Sequence, residues 1–428
     1  MRKRSIIWPW KNKSVNPIGS LRPLKSKSAT NLTFEPLKPK LLKSAVCLFI
    51  AIAFLSCKSD KSSNASENSK IPSATINDET LQLSYAKGFS VKTFENFSVL
   101  NVSNPWPNAD ESYKYALIPR ENAAKITLNK EDFDGMLLTP IQSIVVTSTT
   151  HIPALELLGV EQSLVGFPGI NYISSEKVRA RIDQGHVREL GKNEGINTEV
   201  LLEVRPDVVI AFGVDGSNKS MDVIAKAGIP VIYNGDWVEK SPLAKAEWIK
   251  FFGVLYNKQK KADSIFNQIV TGYEEAKKLA TTVNHVPTIL AGAMYKDVWY
   301  LPSGTSPEAQ FLNDANLNYL WRDTEGKGSL ELSFESVFQK AKNAELWLSP
   351  SYYTSLEAML KANTHYDQFE AYKNKSVYSF ASTVGATGGV TYYELGMARP
   401  DLVLKDMIKI GHPELLEDYE LNFFRKMK

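Results

Sequence analysis

Side chains that could perform catalysis are few and widely separated in this 428-residue sequence. The histidines show no metal-ligand spacing, and they stand at His151, His186, His285, His365 and His412. Both cysteines, Cys47 and Cys57, lie in the first 57 residues, so the body of the chain offers no thiolate for a zinc site. Neither a G-x-S-x-G nor an H-E-x-x-H motif occurs. The residues therefore favour a binding protein over an enzyme.

Two glycine-containing segments match nucleotide-binding loops only in part. Residues 185–193 read GHVRELGKN, with one residue more between the glycines than a P-loop has, and Asn193 replaces the P-loop Ser or Thr. Residues 385–389 read GATGG, which lacks the G-x-G-x-x-G pattern of dinucleotide sites. We expect no nucleotide cofactor, and we expect the segment 385–389 to be a glycine-rich loop beside a cleft.

Aromatic side chains become frequent after residue 290. They are Tyr295, Trp299, Tyr300, Trp321, Tyr352, Tyr353, Tyr392 and Tyr393. Aromatic faces suit a large planar or catecholate ligand, although about half of these side chains are expected in the core. His151 follows a predicted strand and starts a predicted helix. Two alternatives are equally supported at this position: a contact with a ligand and a side chain that faces solvent.

The charge of the chain argues against nucleic acid as a partner. There are 50 Lys and Arg residues and 47 Asp and Glu residues, for a net charge of +3. Much of the excess lies before residue 44, so the remainder is near neutral or acidic. A nucleic-acid-binding surface would require a basic excess in the folded body.

Residues 1–57 are typical of a leader with a lipoprotein signal. The apolar run at 45–56, AVCLFIAIAFLS, is too short to span a membrane, which requires roughly 20 residues. Three lysines precede it, and the following FLSC resembles a bacterial lipobox, with Phe54 where Leu is usual. We expect Cys57 to be lipidated and residues 58–75 to form a flexible polar tether. The alternative is an uncleaved anchor or cleavage at another position.

The body of the chain divides into four regions by pattern. In residues 76–140, apolar and polar residues alternate in short runs that are separated by turn-forming residues, and this pattern predicts a β-rich extension. Residues 141–241 alternate apolar strands with helices, which predicts parallel βαβ units. Residues 242–284 predict a long linking helix, and residues 285–428 predict a second α/β series. The expected fold is α/β, with two βαβ-type lobes joined by one long rigid helix and preceded by a small β-rich extension.

The two predicted lobes share a local pattern. Each has a helix N-cap residue, a glutamate two positions later, an apolar pair, and an acid that opens a buried strand. These residues are Asn197, Glu199 and Asp207 in the first lobe, and Ser333, Glu335 and Glu345 in the second. The pattern suggests two lobes of similar plan, and chance similarity between two αβ units remains the alternative.

Four segments resemble the cobalamin- and siderophore-binding family of ABC-importer substrate-binding proteins. They are IVVTSTTHIPALELLGVEQSLVGF (144–167), GINTEVLLEVRPDVVIAF (195–212), KAGIPVIY (226–233) and LSFESVF (332–338). The tail at 398–416 is similar to the closing segment of this family, so the resemblance covers about residues 141–412. It implies a helical-backbone periplasmic binding protein with the ligand in a cleft between the lobes.

The resemblance also implies the ligand and its contacts. We expect a monomer, lipid-anchored in the periplasm or at the cell surface of a bacterium, that binds a small metal chelate. A ferric siderophore is the expected ligand, with cobalamin or haem as alternatives, and a lipid-anchored α/β enzyme is the alternative class. The expected contacts are Thr149, His151, Phe167, Asn171, Tyr172, Tyr295, Trp299, Trp321, Tyr392 and Arg399.

The expected partners are the permease subunits of an ABC importer. In the family that this chain resembles, one glutamate on each lobe meets arginines on the two membrane subunits. Glu199 of GINTEV and Glu335 of LSFESV match those positions. The alternative is a plain interaction with the helix dipole, which is worth about 0.3–1 kcal/mol for an acid in the first turn.

Overall fold

A computed structural model describes residues 81–193, 195–216, 218–326 and 328–428. The predicted leader, the tether and Cys57 lie outside the described residues. None of the described helices is both long and apolar enough to cross a membrane.

The described chain begins with a four-stranded sheet, which confirms the β-rich extension. Its strands are β1 (Phe89–Thr93), β2 (Ser98–Ser103), β3 (Ser112–Pro119) and β4 (Gly135–Thr139). They pair in chain order, antiparallel except for the parallel pair of β3 and β4. Phe89 and Val91 alternate with exposed positions along β1, as expected for a strand with one buried face.

The N-terminal lobe is built on a parallel sheet. Its strands are β5 (Ile144–Val146), β6 (Leu164–Phe167), β7 (Arg188–Glu189), β8 (Gly191–Lys192), β9 (Gly195–Ile196), β10 (Val208–Phe212) and β11 (Val231–Asn234). Its helices are α1 (Ile152–Leu158), α2 (Glu176–Asp183), α3 (Thr198–Val204) and α4 (Lys219–Lys226). The sheet order is β11-β10-β5-β6-β7, and β8 and β9 form a separate hairpin. The central strands β5 and β10 are almost wholly buried because helices cover both faces.

The linking segment consists of three helices. These are α5 (Pro242–Ala246), α6 (Ile249–Leu255) and α7 (Gln259–Ala280). A long linking helix was expected within residues 242–284, and the structure has it as α7, which follows a turn at Asn257 with a left-handed φ of 53°. The long link is therefore α7, whose 22 residues span roughly 33 Å.

The C-terminal lobe repeats the plan. Its strands are β12 (Thr288–Ala291), β13 (Ala293–Tyr295), β14 (Val298–Pro302), β15 (Asn318–Tyr319), β16 (Ser329–Leu332), β17 (Leu346–Leu348), β18 (Val377–Ser379) and β19 (Arg425–Lys426). Its helices are α8 (Pro307–Asp314), α9 (Phe334–Ala341), α10 (Leu356–Ala362), α11 (Glu370–Lys373) and α12 (Pro400–Gly411), and a π-helix spans Tyr392–Gly396. The main sheet has the order β15-β12-β17-β18-β19, parallel except for β19, and β13, β14 and β16 form a small antiparallel sheet. Helix α7 packs against α1 of the N-terminal lobe and against α12 of the C-terminal lobe, which ties both lobes to the link.

The strand-opening acids have the same role in both lobes. Asp207 precedes β10, and its Oδ2 accepts the backbone N–H of Gln142 at 2.6 Å beside the start of the neighbouring strand β5. Glu345 precedes β17, and its Oε1 accepts the backbone N–H of Thr288 at 2.9 Å at the start of the neighbouring strand β12. The similarity between the two halves of the sequence therefore corresponds to a similarity of structure.

Candidate functional site

The C-terminal edges of the two parallel sheets carry an unusual share of exposed apolar side chains. Four of them follow the parallel strands β6, β10, β17 and β18, and they are Tyr172, Val214, Tyr352 and Val384; the fifth, Tyr295, ends β13, which comes directly after the parallel strand β12. The three tyrosines, referred to as the aromatic rim, are exposed by 49%, 52% and 53%. Ligands of open α/β sheets bind beyond the carboxyl ends of the strands, and exposed aromatic side chains suit an apolar or conjugated ligand.

The two lobes touch each other at this edge. The hydroxyl of Thr387 donates to the carbonyl of Asn171 at 2.8 Å, and the hydroxyl of Ser174 donates to the carbonyl of Gly389 at 2.9 Å. A Cβ at Gly389 would lie 2.1 Å from the carbonyl oxygen of Tyr172, so only glycine fits there. The glycine-rich loop 385–389 therefore lies between the lobes.

A buried carboxylate completes this interlobe contact. Glu394 accepts the backbone N–H of Ser174 at 2.6 Å and that of Ser175 at 2.8 Å. Burial raises the pKa of Glu394 to about 7, the two N–H donors oppose the rise, and the nearby carboxylate of Glu156 adds to it. Glu156 itself accepts a hydrogen bond from the hydroxyl of Ser175. Glu394 lies in the π-helix, a distortion that is common at functional sites.

A polar recess is lined by residues of α1, α5 and α6 and of the segments beside them. Its polar side chains are Thr150, Asp236 and Lys245, and its apolar lining includes Phe252 and Met397. Burial raises the pKa of Asp236 to about 6, although Thr150 and Lys245 oppose the rise, and its Oδ1 has no hydrogen-bond partner in the part of the chain that the structure describes. The cavity measures only about 20 Å³, which is room for a water molecule but not for a chelate.

His151 lies in the core, which neither alternative from the sequence anticipated. The ring is fully buried 5.8 Å from that of Phe252, and neither ring nitrogen has a hydrogen-bond partner among the described residues. Burial lowers the pKa of His151 to about 3, so the ring is neutral. Thr149 precedes it with a partly exposed side chain, still at the C-terminal edge of β5.

Three predicted contacts are core residues, so the structure does not support a ligand role for them. Phe167, Trp299 and Trp321 are exposed by only 2%, 0% and 5%. The indole N–H of Trp299 donates to the carbonyl of Ala291 at 3.1 Å, and its ring stacks on Trp347 at 5.4 Å. A side chain enclosed in this way has no face left for a ligand.

The remaining predicted contacts have mixed surroundings. Tyr392 is half-buried and stacks on Phe380 at 4.9 Å. Arg399 forms a bidentate pair with Asp401, at 2.8 and 2.7 Å, so its charge is already balanced. Asn171, Tyr172 and Tyr295 are exposed at the sheet edges. The structure thus brings Thr149, Asn171, Tyr172, Tyr295 and Tyr392 to the C-terminal edges of the sheets.

Sequence reasoning missed Asp236 and Glu394, and it named Tyr352 among the aromatics suited to a ligand without including it in the expected contacts. Tyr352 had a usable signal, because it closely follows the strand ELWLS, as expected of a residue at the carboxyl edge. Glu394 had none, since its partners Ser174 and Ser175 are distant in sequence. Among the described residues, no group of three or more His, Cys, Asp or Glu side chains is arranged to hold a metal ion.

Comparison with known families agrees with this geometry. A model of the family described as periplasmic binding protein matches residues 144–384. The chain belongs to the periplasmic binding protein family. This confirms the resemblance found in the sequence, and the family and fold are those of solute-binding proteins of ABC importers. The extension and the last part of the C-terminal lobe lie outside the matched residues.

Similar proteins include two lipoproteins of Methanocaldococcus jannaschii, both described as uncharacterized. One is 25% identical over 419 residues, covering 91% of this chain and 97% of its own length. The other is 25% identical over 317 residues, covering 69% of this chain and 76% of its own length. The family and these relatives confirm the predicted location, periplasmic or extracellular with a lipid anchor. Lipidation of Cys57 in particular stays a prediction.

Solved structures of the same fold include two solute-binding proteins. A periplasmic heme binding protein from Pseudomonas aeruginosa has a TM-score of 0.51 and 15% identity, covering 67% of this chain and 98% of its own. A possible iron-binding, periplasmic solute-binding protein from Staphylococcus epidermidis has a TM-score of 0.50 and 18% identity, covering 64% of this chain and 100% of its own. At these identities the likeness concerns the fold alone, and it confirms the two-lobed α/β architecture.

Proposed function

We propose that this protein captures an organic iron complex, a ferric siderophore, between its lobes and delivers it to the permease of an ABC importer. The observation that supports the proposal is the aromatic rim, whose exposed tyrosines lie at the C-terminal ends of strands in both lobes. A ligand held between two lobes contacts both, and tyrosines at both edges suit a broad conjugated molecule better than a small ion. Haem, with its planar ring, and cobalamin are the alternatives.

Ligand titration tests this proposal directly. Trp237 is a suitable reporter because it lies just after β11, half-buried, with its ring 5.3 Å from that of Phe212. Ferric siderophores of the catecholate and hydroxamate types, haem and cobalamin are each titrated against tryptophan fluorescence, with Trp237→Phe as the control. We expect saturable, reversible quenching by a ferric siderophore. Absence of saturable binding by every probe contradicts the proposal, and chemical conversion of a bound probe favours the lipid-anchored enzyme instead.

We propose further that Glu199 and Glu335 dock the protein to the permease. Asn197 caps α3 by accepting the N–H of Val200 at 3.2 Å, and Ser333 caps α9 by accepting the N–H of Ser336 at 3.2 Å. Each glutamate is therefore the second residue of a capped helix, exposed, and in no ion pair among the described residues. Helix α3 leads into β10 and α9 into β17, the strands that pair with the first sheet strand of each lobe.

Two fixed charges, one on each lobe, define an orientation that a single charge could not. Such charge pairs mainly raise the rate of association and fix the register of the docked partners. The test is uptake of the bound ligand by cells or vesicles that hold the importer. Glu199→Ala with Glu335→Ala is expected to keep ligand affinity and to abolish uptake. The matched control is Glu308→Ala with Glu357→Ala, because these glutamates are also exposed second residues of Ser-capped helices. Normal uptake by the first pair, or an equal loss in the control pair, contradicts docking at these positions.

The proposed anchor is a lipid on Cys57. The short apolar run and the FLSC sequence motivate it, and the lipoprotein relatives support it. Cys57→Ala is expected to release the protein from the membrane fraction or to stall its processing. A variant with unchanged mass and membrane retention argues against lipidation at this residue.

A further inference from the structure

We propose that a loop of the β-rich extension forms one wall of the ligand cleft and selects ligands by charge. This loop, residues 104–111, joins β2 to β3 and is called the extension loop. It lies before the residues 144–384 that match the family, so the family match assigns it no role. The inference rests on the proposed function, because it presupposes that the ligand binds at the C-terminal edges of the sheets.

The extension loop lies directly on the C-terminal edge of the N-terminal lobe. A Cβ at Gly213, just after β10, would lie 2.9 Å from the indole of Trp106. A Cβ at Gly216 would lie 3.2 Å from the same indole, and one at Gly235, just after β11, would lie 3.2 Å from the Cα of Pro105. Glycines at these positions let the loop contact the lobe backbone, so the loop borders the space beyond β10 and β11.

An aromatic cluster holds the loop in place. Trp106 is buried and meets Tyr233 edge-on at 5.1 Å between ring centroids, with Tyr113 at 6.0 Å. Tyr113 and Tyr233 are 5.4 Å apart, so the three rings join the extension to the end of β11. Two prolines further restrict the backbone of the loop. A wall that selects ligands must keep its position when the ligand binds, and this packing provides that rigidity.

The whole extension is fixed to the lobe beneath it. Glu247 is fully buried and accepts the backbone N–H groups of Ser84, Tyr85 and Ala86, at 2.7–3.2 Å. Glu239 accepts those of Lys87 and Gly88 at 2.8 Å each. These hydrogen bonds hold the extension before β1, and the aromatic cluster holds it after β2. The extension loop therefore keeps a constant position relative to the cleft.

The exposed tip of the loop is acidic. Pro107, Asn108, Asp110 and Glu111 are exposed, and a Cβ at Gly216 would lie 3.8 Å from Oε1 of Glu111. Two carboxylates on the wall of a cleft disfavour an anionic ligand relative to a neutral one of similar size. Since a water-filled cleft screens charge over about 8–10 Å, only a nearby ligand responds to them.

Charge reversal at the tip tests the inference. The affinities for an anionic ferric tris-catecholate and a neutral ferric trihydroxamate are measured for the wild type, for Asp110→Arg with Glu111→Arg, and for Asp110→Asn with Glu111→Gln. We expect the ratio of anionic to neutral affinity to rise at least about fivefold on reversal and by less on neutralisation. Thermal melting checks that each variant is folded.

The matched control reverses two exposed acids at the far end of the same sheet. Glu95 lies in the turn between β1 and β2, and Glu121 follows β3, so Glu95→Arg with Glu121→Arg makes the same change in net charge. A change in the ratio of anionic to neutral affinity in the tip variants, and not in the control, supports the inference. If the affinity ratio does not change in the tip variants, or changes equally in the control, the inference is overturned and the proposed function is unaffected. Failure of the wild type to bind either complex, haem or cobalamin overturns the proposed function and this inference with it.

Discussion

The carboxylate of Glu394 accepts the backbone N–H of Ser174 at 2.6 Å, across 220 residues of sequence. Ser174 belongs to the N-terminal lobe and Glu394 to the C-terminal lobe, so this hydrogen bond joins the two walls of the proposed cleft. Ser175 donates a second bond at 2.8 Å. The contact lies beside the aromatic rim residue Tyr172, where opening of the cleft would break it.

This contact predicts a pH dependence. Burial raises the pKa of Glu394 to about 7 from an ordinary 4.5, while the N–H groups of Ser174 and Ser175 lower it and Glu156 raises it further. The folded protein therefore keeps a proton that the unfolded chain loses. The bound proton of Glu394 therefore stabilises the folded state fully below about pH 4.5, and this contribution is lost as the pH rises to about 7. The free energy of unfolding changes by roughly 3 kcal/mol at most.

The variant Glu394→Gln removes the titrating group at nearly constant volume. We expect its free energy of unfolding to change less between pH 4.5 and 7 than that of the wild type, which urea titrations at several pH values would show. An unchanged pH profile in this variant contradicts the assignment. Glu414→Ala, at an exposed position near the C-terminus, is a suitable control.

His151 predicts an effect of the opposite sign. Burial lowers its pKa to about 3, so below its ordinary value of 6.5 the unfolded chain takes up a proton that the folded chain does not. Stability is then lost as the pH falls from about 6.5 towards 3, by roughly 4–5 kcal/mol at most. In His151→Leu, we expect stability to fall less than in the wild type as the pH is lowered from about 6.5. The melting temperature at neutral pH and the ligand affinity should stay unchanged, because the substitution removes no hydrogen bond within the described residues. Loss of ligand affinity in this variant would return His151 to the binding site.

Glu247 predicts a large loss of stability. Its carboxylate accepts three backbone N–H groups of the extension and lies 3.1 Å from the Nζ of Lys250. Removing one partner of a buried pair costs about 3–5 kcal/mol, so Glu247→Ala is expected to lower the free energy of unfolding by that amount. Hydrogen exchange at residues 84–88 should accelerate in the same variant. A loss below about 1 kcal/mol, with protection unchanged, contradicts a structural role for this carboxylate.

The elements of the fold were predictable because their signals are local. The strand at 207–211 is an apolar run opened by Asp207, and the helices that begin after Asn197 and Ser333 carry the N-cap residues that the structure uses. The exact start of α7 was not predictable, since the left-handed Asn257 before it leaves only a weak mark in the sequence. Periodicity thus predicts elements well and their junctions poorly.

The site was less predictable because exposure depends on packing between distant segments. Trp299 and Tyr295 both lie beside strand β12, yet Trp299 is buried against Trp347 while Tyr295 is 52% exposed. Nothing within either segment distinguishes the two aromatics. The partners of Glu394 lie in the other lobe, so no local pattern marks that carboxylate either.

The most direct test of the central claim is the affinity of a rim variant for the ferric siderophore that binds the wild type. In Tyr172→Ala with Tyr295→Ala and Tyr352→Ala, loss of the aromatic faces at about 0.5–1.5 kcal/mol each is expected to weaken binding at least about tenfold. The control truncates exposed apolar side chains away from the C-terminal edges of the two lobe sheets, Leu138→Ala with Val223→Ala and Val286→Ala, and should bind like the wild type. Unchanged affinity in the rim variant, or an equal loss in the control, would contradict a ligand site at these edges.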